Sequence, residues 1–176
     1  VVIQHAGNAY LCVEGLKDKL IETLGFEGAT VLGRLSGSAL ETTQIAHPFL
    51  AREVPVVLAE YVTQEDGTGL VHTAPGHGHD DYLTGLRCGL PVVMPVNDQG
   101  RYTDEVPDFL KGQLIFDANK LIGQHMEEKG TLLKLAFIKH SYPHCWRCKN
   151  PVIFRATEQW FIAMDTPMPS GKTLRE

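Results

Sequence analysis

The chain has 176 residues, 43% of them apolar, and a length of that order buries about two-thirds of its unfolded surface around one core. Its formal net charge of -5 excludes broad, charge-driven binding to a nucleic-acid backbone, which needs clustered Lys and Arg, so a nucleic-acid partner must be held locally. No run approaches the roughly eighteen apolar residues of a membrane span, and the opening "VVIQHAGNAYLCV" has neither the basic start nor the cleavage pattern of a signal peptide, so a cytoplasmic protein with no membrane partner is expected.

In chain order, the strand-like runs at residues 1–4 and 9–13 flank "HAGN", where Gly7 and Asn8 suit a hairpin turn. Val1 is not a methionine and "VVIQ" reads as a strand without a lead-in, so the chain is expected to be a piece of something longer. "EGLKDKLIETLG" sets Leu16, Leu20, Ile21 and Leu24 on one helical face, with Gly25 as its stop. Residues 29–74 carry mostly strand signals, in "ATVLGRL", "VPVVLAEYV" and "GLVHTA". "HDDYLTGLRCG" predicts a short helix with acidic residues in its first turn and Gly89 beyond its last. "PVVMPV" predicts a strand, "FDANKLIGQHMEEKG" a helix ending at Gly130, and "TLLKLAFIKH" and "VIFRATEQWFIAM" two closing strands with Phe154, Trp160 and Phe161 buried between them. Many short strands with few helices predict an α+β fold, a small curled β-barrel core with peripheral helices. A composition break at "HSYPHCWRCKNP" divides the chain into residues 1–142 and a terminal segment, 143–176.

Four cysteines, at 12, 88, 145 and 148, give no disulfide framework; Cys12 and Cys88 read as small buried apolar residues. Cys145 and Cys148 stand as Cys-x-x-Cys, half of a tetrahedral zinc site, and no second pair exists in the sequence. His140 and His144 are the nearby substitutes as ligands, and no βαβ context favours redox chemistry.

The stretch "GTGLVHTAPGHGHDDY" crowds three histidines and two aspartates together. His77, His79 and Asp81 form H-x-H-x-D, similar to the first ligand run of two-metal hydrolases, but Tyr82 stands where a further His belongs and no later His and Asp cluster completes a site. A Gly-rich turn entering a helix explains the same residues, with Asp80 as a structural cap at the helix start. Strand alternation places Leu70 and His72 on one face and Val71 and Thr73 on the other, so His72 is either a histidine satisfied by backbone groups or one that points into a cavity.

This stretch closely resembles the motif in the editing domain of bacterial-type isoleucyl-tRNA synthetases, the insertion called connective polypeptide 1. "HPFLAREVPVVLAEYV", "KGQLIFDANKLI", "EEKGTLL" and "HSYPHCWRCKNPVIFRATEQWF" resemble the same family in the same order, over about residues 32–164. The related valyl and leucyl enzymes share the G-T-G strand and a downstream acid but lack the G-H-G step and "FRATEQWF". The resemblance implies an aminoacyl-tRNA hydrolase that removes valine wrongly attached to isoleucine tRNA. Its partners are the aminoacylated 3′ end of that tRNA, the valine moiety and the rest of the parent synthetase. Hydrolysis calls for no cofactor, and a structural zinc in the full-length parent involves Cys145 and Cys148. Asp81 matches the family's amino-group anchor, and His72 matches the residue that lies against the ribose and side chain and excludes isoleucine. Leu70, Val71, Thr73, Ala74, Pro75, Gly76 and His77 are expected to form the substrate-binding wall, Gly76 and Gly78 letting the backbone approach a ligand. Residues 1–142 would then be the editing domain and 143–176 a returning stalk.

The family's ATP-binding signatures, H-I-G-H and K-M-S-K-S, do not occur in this sequence, so no amino-acid activation is expected of it. Its Thr-rich peptide of the form T-T-P-W-T, the other wall of the editing pocket, is also missing, and "ETTQ" at 41–44 does not replace it. Two other functions stand beside the editing reading: a non-catalytic module that binds the aminoacylated 3′ end, and a metal-dependent hydrolase using His77, His79 and Asp81.

Overall fold

The computed structural model describes every residue except Asp66, Ile138 and Glu176. It opens with an antiparallel hairpin of β1 (Val2–His5) and β2 (Asn8–Leu11), paired from Val2 opposite Leu11 to His5 opposite Asn8. Ala6 and Gly7 form the two-residue turn, with φ of 48° and 82°. Positive φ at both positions matches the twist of the flanking strands. The turn therefore sits one residue earlier than predicted, because Asn8 is drawn into the ladder opposite His5.

β3 (Thr30–Gly33) pairs with the other edge of β1, giving the order β2-β1-β3. A 3-10 turn over Glu14–Leu16 leads into α1 (Lys17–Leu24), which brings Leu20 and Ile21 against the sheet. Ile3 is fully buried, with Val1 and Cys12 beside it. Phe26 closes this core by stacking on His5 at 4.5 Å between ring centroids and meeting Tyr10 at 4.6 Å. Burial pushes the Cys12 thiol above its ordinary pKa, in keeping with an inert apolar role. Cys88, expected to be equally buried, is only half-covered at the end of its helix.

α1, α2 (His79–Cys88) and α3 (Ile115–Glu128) all end on the glycines that the sequence marked as stops. Gly25, Gly89 and Gly130 have φ of 69°, 65° and 67°. In each case the following residue donates its amide to the carbonyl five positions back: Phe26 to Ile21 at 2.9 Å, Leu90 to Gly85 at 2.8 Å, Thr131 to Met126 at 2.9 Å. A left-handed glycine that lets the next amide reach back in this way satisfies carbonyls the helix end leaves open.

β4 (Gln44–Ala46) and β5 (Glu53–Pro55) make a second, two-stranded antiparallel sheet. The fold is α+β as expected. Among the described residues the strands form sheets of three and two, and no barrel closes. The strands predicted over residues 69–74, 91–96 and 152–164 do not form, and the run over 131–140, whose Ile138 lies outside the described residues, shows none in the remainder. "PVVMPV" loses two ladder donors to Pro91 and Pro95, and makes only an isolated bridge from Val96 to Tyr102. The amides of Val152 and Ala156 go to Pro143 and Gly76 in place of a neighbouring strand. With no strand pair to cover them, Trp160 is 99% exposed and Phe161 90%, and Phe154 is also exposed, against the expectation of burial. No helix among the described residues is long and apolar enough to cross a membrane.

Because Ile3 has no exposed surface, Ile3→Ala is expected to cost about 2–5 kcal/mol, read as a lower urea midpoint with unchanged slope.

Candidate functional site

Residues 69–78 leave the region of Tyr61, pass along a cleft of about 1180 Å³, and turn into α2. Leu70, Val71, His72, Thr73, Ala74, Pro75 and His77 all line this cleft, with Ile45, His47 and Val54 from the β4 and β5 hairpin. Successive residues line it, not alternate ones: without a paired strand here, the two-sided alternation expected of Leu70 to Thr73 has no ladder to impose it.

The glycines of the turn, and Gly85 of α2 that faces it, are required by space. A Cβ on Gly76 would lie 2.4 Å from the Val93 carbonyl oxygen, and one on Gly85 would lie 2.8 Å from the ring carbons of Pro75. Gly76 is buried in that contact and is not among the residues lining the cleft, so the close approach it permits is to the protein's own backbone and not to the cleft. At Gly78 the near neighbour is Asp81, whose Oδ2 would be 2.3 Å from an added Cβ.

Gly78 is also the N-cap of α2, in extended conformation and without a side-chain cap bond. Asp80 is therefore not the cap: it is the second residue inside the helix, where its charge favours the positive end of the dipole together with Asp81. Asp81, half-buried, folds back over Gly78. Its Oδ1 accepts from the Tyr61 hydroxyl at 3.4 Å, and that hydroxyl lies 3.2 Å from Thr73 Oγ1. Asp81 is not among the residues lining the cleft, and it is joined to Thr73, which lines it, through Tyr61. In the sequence Tyr61 stands in the predicted strand "VPVVLAEYV", and nothing in that context separates it from a strand aromatic.

Two histidines at the cleft have opposite tautomers, set by their partners. His77 Nδ1 is 2.9 Å from the Phe154 carbonyl, which only accepts, so Nδ1 carries the proton. His47 Nδ1 accepts from the amides of Leu50 at 3.1 Å and Phe49 at 3.4 Å, so its proton is on Nε2. Burial first, then the charges of Arg52 and His72, hold the His47 pKa below its ordinary value. His72 itself is exposed, its ring edge-on to His47 at 6.3 Å between centroids.

The metal reading of His77, His79 and Asp81 is not supported. His77 is turned to a backbone carbonyl, Asp81 is held by Tyr61, and no three His, Cys, Asp or Glu side chains gather as ligands among the described residues. At the other candidate, amide donors from Cys148 and Arg147 and the Cys148 side chain lower the Cys145 pKa, which suits a thiolate ligand. His144 Nδ1 is engaged by the Tyr142 carbonyl at 2.8 Å, which leaves Nε2 as its free ring nitrogen, but no third ligand gathers with the two thiols, so the described residues present half of a tetrahedral zinc site.

The terminal segment seats on this site. Ala156 donates to the Gly76 carbonyl at 2.8 Å, and Arg155 donates to Val96 O at 3.0 Å and to Asp98 at 2.8 Å. Residues 153–156 thus pack on the turn that starts α2.

Residues 34–134, more than half of the chain, match the family described as leucyl-tRNA synthetase, editing domain. The chain belongs to this editing-domain family. It is also 52% identical over 165 residues to the isoleucine-tRNA ligase of Nitratidesulfovibrio vulgaris (strain DP4), covering 94% of this chain and 18% of that protein. It is 49% identical over 173 residues to that of Persephonella marina, covering 98% and 18%, and 54% identical over 156 residues to that of Carboxydothermus hydrogenoformans, covering 89% and 17%. The chain thus spans under a fifth of the length of these relatives. The family match takes in residues 69–78 of the cleft wall, Tyr61, Asp81, α2 and α3.

Gly76→Ala, which meets backbone, is expected to cost about 1–3 kcal/mol in urea unfolding, whereas Gly78→Ala, which meets a movable carboxylate, costs less and displaces Asp81. The lowered His47 pKa gives a second prediction. As pH falls through 6.5, the unfolded chain takes up a proton that the folded chain resists, so stability is lost on acidification. The urea midpoint should fall from about pH 7.5 to about pH 5.5, and His47→Asn, which keeps an acceptor but does not titrate, should reduce that fall.

Proposed function

We propose that this chain is the editing domain of an isoleucine-tRNA ligase and hydrolyses the ester of valine misattached to isoleucine tRNA. The observation that carries this reading is the identity of about half over nearly the whole chain to proteins of that name, and His72 and Asp81 stand in the stretch that resembles the editing motif.

The chemistry explains why such a pocket is needed. A synthetic site gains little from one methylene, and isoleucine against valine is the standard illustration of that limit, so a second site must remove the smaller product by hydrolysis. That site has to hold an ammonium group, a small side chain and the terminal ribose, and place water beside the ester carbonyl. An ionised carboxylate is the natural partner of the ammonium, through a charge-assisted hydrogen bond that strengthens as water is excluded. Asp81 takes this part. His72, on the cleft wall, lies against the ribose and the side chain, where its ring rejects isoleucine. Leu70, Val71, Thr73, Ala74, Pro75 and His77 complete the wall, Gly76 supports it from behind, and the substrate's own ribose hydroxyl helps to orient the attacking water.

In this reading the partners are the aminoacylated 3′ end of isoleucine tRNA, its valine moiety and the remainder of the parent synthetase, in the cytoplasm. Hydrolysis requires no cofactor. Cys145 and Cys148 supply half of a structural zinc site whose other ligands belong to the rest of the parent. Residues 1–142 form the editing domain and 143–176 form the returning stalk.

Asp81→Ala in the full-length enzyme is expected to abolish deacylation of valyl-tRNA; wild-type rates in that variant would overturn the assignment. His72→Ala is expected to admit isoleucine, so correctly charged isoleucyl-tRNA becomes a substrate, and an unchanged preference for valine would remove His72 as the gate. If the wild-type domain binds the charged 3′ end yet never cleaves it, the chain is a binding module.

A further inference from the structure

We propose that Tyr61 is the positioning residue for the Asp81 carboxylate, its hydroxyl relaying a hydrogen bond from the cleft wall at Thr73 to Asp81 Oδ1. The inference rests on the reading of Asp81 as the ammonium anchor and adds the group that aims it.

The direction of the relay follows from donor capacity. An ionised carboxylate accepts only, so the single proton of the Tyr61 hydroxyl goes to Asp81, 3.4 Å away. The Tyr61 oxygen is then the acceptor toward Thr73, whose hydroxyl donates across 3.2 Å. Thr73 lines the cleft and Tyr61 and Asp81 do not, so this chain of two bonds is the connection between the wall and the carboxylate.

The other oxygen has room because Gly78 carries no side chain. Oδ2 occupies the space where a side chain at Gly78 would begin, 2.3 Å from the ideal Cβ position. Asp81 thus has a donor on Oδ1 and open space beside Oδ2, both set by residues outside its own helix. Both Tyr61 distances exceed the ordinary O–H···O range of about 2.5–3.0 Å. Tyr61 therefore biases the carboxylate toward the side of the wall without locking it, and its effect is felt when an ammonium arrives.

The test uses Tyr61→Phe, which keeps the ring and removes the hydroxyl, in the full-length synthetase. Two esters on isoleucine tRNA are compared: the valyl ester, and its α-hydroxy counterpart, which has the same side chain and ester but no ammonium. The expected result is a roughly tenfold loss in kcat/KM on the valyl ester, carried mainly by KM, with no loss on the hydroxy ester. Equal losses on both esters mean a structural role only and overturn the proposal, as does no loss on either. Asp81→Ala measured alongside separates the two readings. If it discriminates between the esters and Tyr61→Phe does not, Tyr61 alone loses its role; if Asp81→Ala does not discriminate, the ammonium anchor itself fails, and the relay with it. Thr73→Val, which leaves Tyr61 in place, is the second variant should the Phe substitution unfold the domain: a smaller loss confined to the valyl ester supports the relay, and a loss shared by both esters overturns it.

Discussion

The site depends on how closely the backbone of the turn before α2 can approach its surroundings. Gly76 lies against the Val93 carbonyl, Gly85 against the ring of Pro75, and Gly78 under the carboxylate of Asp81, and at each of these places even one carbon would collide. Interiors tolerate no such overlap without a shift of backbone or rotamer. These three contacts hold the cleft wall, the helix start and the acidic side chain in one arrangement. They also explain why the turn carries so little side chain: its shape comes from what is left out.

Around that turn, polar groups are oriented by backbone partners more than by each other. His77 is locked by a carbonyl of the terminal segment and His47 by two amides of its own loop, so the two rings hold their protons on different nitrogens. The contact from Phe154 to His77, with Ala156 on Gly76 and Arg155 on Val96 and Asp98, joins the end of the chain to the start of α2. Any change in the path of residues 153–156 must therefore be felt at the turn, because two of those bonds fall on Gly76 and His77 themselves.

The remainder of the molecule is built more openly. A compact core around Ile3, Cys12 and Phe26 stabilises the first third, while Phe137, Trp160 and Phe161 stay almost fully exposed. Strands are stabilised by their neighbours, and runs such as "VIFRATEQWF" have the composition of strands without a partner ladder among the described residues. The same reason leaves the cleft broad, with its wall lined by consecutive residues.

Local signals were legible where the physics is local. The three helices, their glycine stops, the hairpin, the buried Cys12 and the acidic first turn of α2 all follow from periodicity, left-handed glycine and the helix dipole, and each was readable from a few neighbouring residues. The motif that marks the editing-domain family was readable for the same reason, since it is one continuous stretch. Tertiary structure alone decided that Asp80 is not a cap, that Gly76 serves packing, that His77 bonds to Phe154, and that Tyr61 reaches Asp81 from twenty positions away. Each of these depends on which distant groups compete for the same space or the same lone pair. Sequence spacing carries no record of that competition, whereas a glycine beside a helix end acts within a single turn of its own chain.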